Sequence, residues 1–142
     1  MAFISEFSMK VCPEPSNSSM LCTEGSSLMP LIEDPQRLDW KSAVFWQYPR
    51  GSSITDHLKG TMGYSMRTAD WRYTEWVGIT YLGDNAYLPD WENSMDWPEL
   101  YSMVEDPGEN VNLARVGEYK EVVDQLSQQL RAGWRAFRPK EA

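Results

Sequence analysis

Metal-binding and proton-carrying side chains are scarce in this sequence of 142 residues, which has one histidine and two cysteines. Cys12, Cys22 and His57 stand in no ligand spacing, so a tetrahedral zinc site is excluded. A glycine-rich phosphate loop and a Gly-x-Ser-x-Gly elbow are also absent, which removes the common nucleotide-binding and serine-hydrolase signatures. No run approaches 18 apolar residues, because Asp, Glu, Arg or Gly interrupts each candidate, so a transmembrane helix is excluded and no membrane partner is expected. Positive charge is short as well. Thirteen Lys and Arg against 21 Asp and Glu leave a net charge of −8, which argues against nucleic acid and anionic membranes as partners. Residues 73–114 hold nine of the acids and no base, while the remainder is nearly balanced.

The length suffices for one globular domain with a core. Between Cys12 and Cys22 stands Asn17-Ser18-Ser19, an Asn-x-Ser sequon. A disulfide and a glycan on Asn17 would both belong to an oxidising secretory route; two unlinked thiols and a chance tripeptide are the plain alternatives. The first ten residues lack a basic n-region, and Glu6 and Lys10 break their apolar character, so they do not read as a signal peptide. Secretory features without a leader suggest the carboxy-terminal part of something longer, with Met1 an internal or gene-model start.

Residues 1–41 read as an irregular lead-in rich in Pro, Ser and acids, and 42–142 as the ordered subdomain. Ala43 to Tyr48 is aromatic and β-branched and reads as a strand that Pro49 ends. Residues 50–61, with the only histidine, read as a loop. Met62, Tyr64 and Met66 alternate with small or polar residues, the period of a half-buried strand. The return strand Trp71–Ile79 completes an antiparallel hairpin whose turn, at Ala69-Asp70, is assigned to the Asp70 side chain. Residues 80–98, with Gly83, Pro89 and Pro98, read as a loop rather than a fourth long strand, and Glu99–Met103 as a short strand stopped by Asp106-Pro107-Gly108. From Gly117 to Phe137 apolar residues recur every three or four, which predicts an amphipathic helix of about five turns. Arg131, Arg135 and Arg138 complement its carboxy-terminal dipole and Pro139 stops it. The predicted class is α+β: a small antiparallel sheet with a terminal helix packed on one face.

His57, beside Asp56 and Lys59, is the one side chain suited to proton transfer near neutral pH, against the plainer reading of an exposed loop histidine. Glu33/Asp34 and Asp90/Glu92 are carboxylate pairs of the kind a glycosidase needs, but an acidic chain produces such pairs by chance. Seven Trp and seven Tyr can form a sugar-stacking platform; for Trp71, Tyr73 and Trp76 their large area favours the core instead.

Taken in order, Gln47-Tyr48-Pro49-Arg50, Met62-Gly63-Tyr64-Ser65-Met66-Arg67-Thr68 and Arg72-Tyr73-Thr74-Glu75-Trp76 resemble the carboxy-terminal subdomain of the iduronate-2-sulfatase group of the sulfatase family. Cys12-Pro13-x-Pro15 and Leu21-Cys22-Thr23-Glu24-Gly25 are similar to the segment before that subdomain, where the resemblance implies a Cys12–Cys22 disulfide and an irregular, disulfide-stapled lead-in. Asp106-Pro107-Gly108-Glu109-Asn110-x-Asn112-Leu113-Ala114 resembles a pattern shared widely among sulfatases. The resemblance implies hydrolysis of the 2-O-sulfate of iduronate in heparan and dermatan sulfate, within lysosomes in animals or along the secretory route. It further implies a formylglycine nucleophile and calcium held by aspartates, neither of which this chain supplies: Cys12-Pro13-Glu14-Pro15-Ser16 does not match Cys-x-Pro-Ser-Arg. A chain lacking both is expected to be inactive alone and to complete a substrate cleft beside a catalytic domain. By the same resemblance Glu24 and Arg50 face the pocket, and His57 or Lys59 takes the place of a loop lysine. On its own chemistry Arg50 suits a carboxylate or sulfate, or an ion pair with a loop acid, and Glu24 suits sugar hydroxyls or solvent. A carbohydrate-binding module, or part of another sulfatase such as one acting on N-sulfated glucosamine, are the alternatives. The acids of 73–114 are expected to lie mostly away from the cleft, with Arg50 and Lys59 nearer to it.

Overall fold

The structure, a computed structural model, describes residues 26–50, 61–83, 86–95 and 97–139. Cys12, Cys22, Asn17, Glu24, His57 and Lys59 lie outside the described residues, and so do the disulfide and the glycan site predicted on them. Two compact units divide the chain: Met1–Trp40 with Arg138–Ala142, and Lys41–Phe137. In the first, a short helix α1 (Met29–Glu33) carries a proline in its first turn, and Arg37 pairs with Asp39.

The second unit is an antiparallel sheet of β1 (Val44–Arg50), β2 (Thr61–Arg67), β3 (Trp71–Gly83), β4 (Ala86–Ser94) and β5 (Glu99–Ser102), followed by helix α2 (Lys120–Ala132). The order is β1-β2-β3-β4, and β5 pairs with the first part of β3. Strand β3 is thirteen residues long and serves as the hub: Trp71–Thr74 pair with β5, and Val77–Gly83 pair with β4 across two register shifts.

The small α+β sheet with a carboxy-terminal helix matches the expectation, and its details correct the sequence reading at four places. Pro49 does not end β1 but sits inside it, opposite Met62. Strand β1 is an edge strand, where a missing N–H costs no ladder bond. Residues 80–98 are not a loop: β3 runs on to Gly83 and β4 returns, with Pro89 opposite Ile79 on the other edge for the same reason. The β2–β3 turn is held by Thr68 rather than Asp70. The Thr68 hydroxyl accepts from the backbone N–H of Asp70 at 3.3 Å and of Trp71 at 3.0 Å, a hydroxyl-capped turn to which Asp70 contributes its backbone, the N–H to Thr68 and the carbonyl to the Met103 N–H. Finally, the predicted five-turn helix is three elements. A 3-10 turn (Gly117–Tyr119) leads into α2, Gly133 at φ 79° ends it, and a second 3-10 turn covers Trp134–Phe137. The left-handed residue is one only glycine adopts without strain. Of the three arginines assigned to the helix end, Arg131 alone lies in the last turn of α2.

Alternation along the strands gives the sheet two unlike faces. Phe45, Met66, Trp71, Tyr73 and Leu100 share the face covered by α2, whose Leu126 and Leu130 are buried among them. Phe45 meets Phe137 at 5.2 Å and Trp71 meets Tyr119 edge-on at 5.7 Å, so both 3-10 turns close onto the same core. The other face carries Trp46, Tyr48, Arg50, Gly63, Ser65, Arg67, Arg72, Thr74 and Trp76.

Candidate functional site

Arg50 is the one predicted substrate-binding residue within the described segments, and it stands at the end of β1 on the face away from α2. Its backbone is fixed by pairing with Thr61, whose hydroxyl donates to the Arg50 carbonyl at 2.8 Å. The guanidinium is exposed on one side and lies over the Trp76 indole on the other, with Cζ 4.4 Å from the ring centroid. A cation so placed is attracted by the ring's negative face, a contact that uses none of its edge N–H groups. Residues 51–60, whose one acid, Asp56, is the loop acid of the alternative ion-pair reading for Arg50, lie outside the described residues.

Trp76 is itself held from two sides. Its Nε1–H donates to Glu99 Oε1 at 2.9 Å, and its six-membered ring lies against Gly63, the residue opposite it on β2. A Cβ at Gly63 would stand 2.8 Å from that ring, a separation real Cβ atoms do not reach. Sequence reasoning named neither Gly63 nor Glu99 as part of a site. One signal was present: an isolated glycine inside an alternating strand marks a close approach by another group. Along β1, Trp46 and Tyr48 share the Arg50 face and are 41% and 65% exposed. Trp76 and Tyr73, favoured as core, are buried, and Trp71 packs against the core cluster.

The Asp106-Pro107-Gly108 motif is a scaffold for β5. Asp106 accepts from the backbone N–H groups of Val111 at 2.8 Å and Asn110 at 2.6 Å, and from the Asn110 side chain at 2.7 Å. Asn112 Oδ1 accepts from the Leu100 and Ala114 N–H groups, and its amide donates to the Pro98 carbonyl. Glu109, at φ 54°, pairs with Arg72, which is stacked over Tyr101. The bonds from Val111 and Asn110 hold the Asp106 carboxyl below its ordinary value. A lowered folded value means that this contribution is complete above the ordinary carboxylate range and is lost as pH falls through the lower folded value. Amide exchange at Asn110 and Val111 is therefore expected to stay slow down to about pH 4 and to accelerate below it, and Asp106→Asn should flatten that dependence.

On the opposite face, Glu75 is buried and takes a hydrogen bond from Arg131 of α2 at 3.0 Å and one from the Tyr73 hydroxyl at 3.0 Å. Arg131 also lies over Trp91. The charges of Glu75, Glu99, Asp106 and Glu109 are thus taken up in fixing the fold. Glu99 is the one of these acids that shares a contact with Arg50, since both touch the Trp76 indole. Among the described residues no group of three or more His, Cys, Asp or Glu side chains could hold a metal ion, and no helix is long and apolar enough to cross a membrane. Glu33 and Asp34, one of the carboxylate pairs, are exposed on α1 and just after it.

No family model matches the chain. Human iduronate 2-sulfatase is 35% identical over 118 residues, which cover 72% of this chain and 21% of that protein. Its mouse counterpart is 32% identical over 120 residues with the same shares. The chain thus spans about a fifth of the length of the curated relatives it matches. A solved structure, that of a protein in complex with its substrate D-glucosamine-2-N,6-O-disulfate, superposes on 80% of this chain with a TM-score of 0.53 and 24% identity, using 20% of its own length. That likeness is one of fold.

Proposed function

The chain is homologous to one portion of a sulfatase, and from that premise we propose that it is the carboxy-terminal part of a sulfuric ester hydrolase acting on sulfated glycosaminoglycan, with 2-O-sulfated iduronate as the preferred unit. In this reading the remainder of the enzyme supplies the formylglycine nucleophile and the calcium ion, and the chain is inactive without it. Its own residues bind and orient substrate. The observation that carries the reading is Arg50, exposed and stacked on a buried indole, in a Tyr-Pro-Arg segment that resembles the sulfatase pattern. A guanidinium with free edge N–H groups takes a sugar carboxylate or sulfate in bidentate fashion. Glu24 and one of His57 and Lys59 complete the contacts to the sugar, the Cys12–Cys22 disulfide ties the lead-in, Asn17 carries a glycan, and the enzyme works in the lysosome or the secretory route.

The carbohydrate-binding-module reading needs several coplanar exposed tryptophans on one sheet face. The Arg50 face offers Trp46 and Tyr48, while Trp76 on the same face is buried, so the observations favour the enzyme part. The sequence likeness to iduronate 2-sulfatases favours iduronate over N-sulfated glucosamine as the target.

The test replaces the matching portion of human iduronate 2-sulfatase with this chain and follows sulfate release from a 2-O-sulfated iduronate substrate. The chimera is expected to hydrolyse it, the isolated chain is not, and Arg50→Ala in the chimera should raise KM about tenfold with a smaller change in kcat. Sulfate release by the chain alone, a folded but inert chimera, or an unchanged KM in the Arg50 variant would each sink the proposal.

A further inference from the structure

Building on that role for Arg50, we infer that Gly63, Trp76 and Glu99 act as positioning residues, a platform that holds the Arg50 guanidinium flat and edge-outward as a receptor for an oxyanion carried on a sugar. Four strands contribute. Trp76 comes from β3, Gly63 from β2, Glu99 from β5 and Arg50 from β1. The indole is pinned at both ends: Gly63 admits the six-membered ring at a distance that no side chain would allow, and Glu99 holds the pyrrole nitrogen. With the ring fixed, the cation above it has one favoured plane, and the Thr61 bond to the Arg50 carbonyl fixes the start of the side chain.

A free arginine side chain loses rotamer freedom when it takes a ligand. Stacking removes most of that freedom during folding, so less is lost on binding. The stacked face cannot donate hydrogen bonds, whereas the edge presents two parallel N–H groups, the geometry of a carboxylate or sulfate. Tyr48, two residues earlier on the same face and about 7 Å away along the strand, presents an exposed ring suited to the C–H surface of a sugar. The ligand class is therefore a monosaccharide unit bearing a sulfate or carboxylate, not an inorganic anion alone.

The test uses the nitrogen-15-labelled chain and a 2-O-sulfated heparin disaccharide as the probe, with inorganic sulfate as a second titrant. The Arg50 Nε–H resonance, assigned by its loss in Arg50→Lys, should be displaced upfield by the indole ring and should move on adding the disaccharide at concentrations where sulfate has little effect. Gly63→Ala and Glu99→Ala are expected to reduce the ring displacement and to weaken disaccharide binding about three- to tenfold, and Glu99→Gln, which keeps an acceptor for the indole N–H, to restore both. If Gly63→Ala does not fold, the Glu99→Ala and Glu99→Gln pair decides the matter. Loss of the ring displacement without loss of affinity, or no change in either, overturns the platform. Unchanged affinity in Arg50→Ala overturns instead the underlying assignment of Arg50 to substrate, and the ring displacement in the parent chain reports the stacking separately. Equal response to sulfate and to the disaccharide overturns the sugar component.

Discussion

Leu100→Ala is expected to destabilise the protein by about 3–5 kcal/mol, the upper part of the range for emptying a buried leucine site. Leu100 is fully buried, with Met66, Tyr73, Leu126 and Leu130 in the same cluster. The cost depends on how far the surroundings can collapse into the space, and here they have little freedom. The Leu100 N–H donates to Asn112 Oδ1 and its carbonyl accepts from Leu113, so β5 is bonded through its backbone on the loop side while pairing with β3 on the other. Urea denaturation should show a lower midpoint with an unchanged slope. Leu38→Ala, at a residue 99% exposed, should shift the midpoint by an amount equivalent to less than about 0.5 kcal/mol. A small effect at Leu100 would mean that the helix is not seated on the sheet as described.

Arg131→Met should be the next most costly change, because among the described residues it leaves the buried Glu75 carboxylate with the Tyr73 hydroxyl as its one side-chain partner. Removing one partner of a buried pair costs about 3–5 kcal/mol; the Arg131 side chain is 43% exposed, so solvent screens part of this and about 2 kcal/mol is expected. Converting both members, Arg131→Met with Glu75→Leu, should recover most of the loss, since two well-packed apolar groups do not carry the desolvation cost of an ion pair. A double variant no better than the single one would show that the pair itself, and not the orphaned charge, sets the energy. The same cluster predicts an alkaline limit. Burial pushes the Tyr73 phenol up, with the Glu75 charge adding to it. A raised folded value leaves this contribution intact below the ordinary tyrosine value of about 10, and above it the unfolded chain ionises first, so a denaturation midpoint followed from pH 8 to 11 should hold to about 10 and then fall.

Two arginines illustrate how unevenly a sequence exposes its own logic. Arg50 was legible because it closes a Tyr-Pro-Arg segment and belongs to an ordered series of motifs. Arg131 was read as a dipole complement, a local role, because its partner Glu75 lies 56 residues away and on a different element. Trp76 was legible as a large aromatic to be buried, but its support by Gly63 and Glu99 was not, since a strand pattern reports which face a residue takes and not which neighbour it touches. The prolines misled in the same manner. Pro49 and Pro89 punctuate a strand only when the strand has neighbours on both sides, and edge position is a property of the sheet.

By itself the sequence determined the alternation that makes Met62 to Arg67 and Trp71 to Ile79 a hairpin, the three-to-four spacing that puts Leu126 and Leu130 on one helical face, and the motif series that carries the sulfatase likeness. These are local periods and ordered residue types, and they survive without knowledge of what lies beside them. Only the tertiary structure decided that β3 serves two partners along its length, that Gly133 divides the helix, and that Arg50, Gly63, Trp76 and Glu99 meet. Each depends on contacts between residues distant in sequence, whose geometry is set by register and packing and has no period to read.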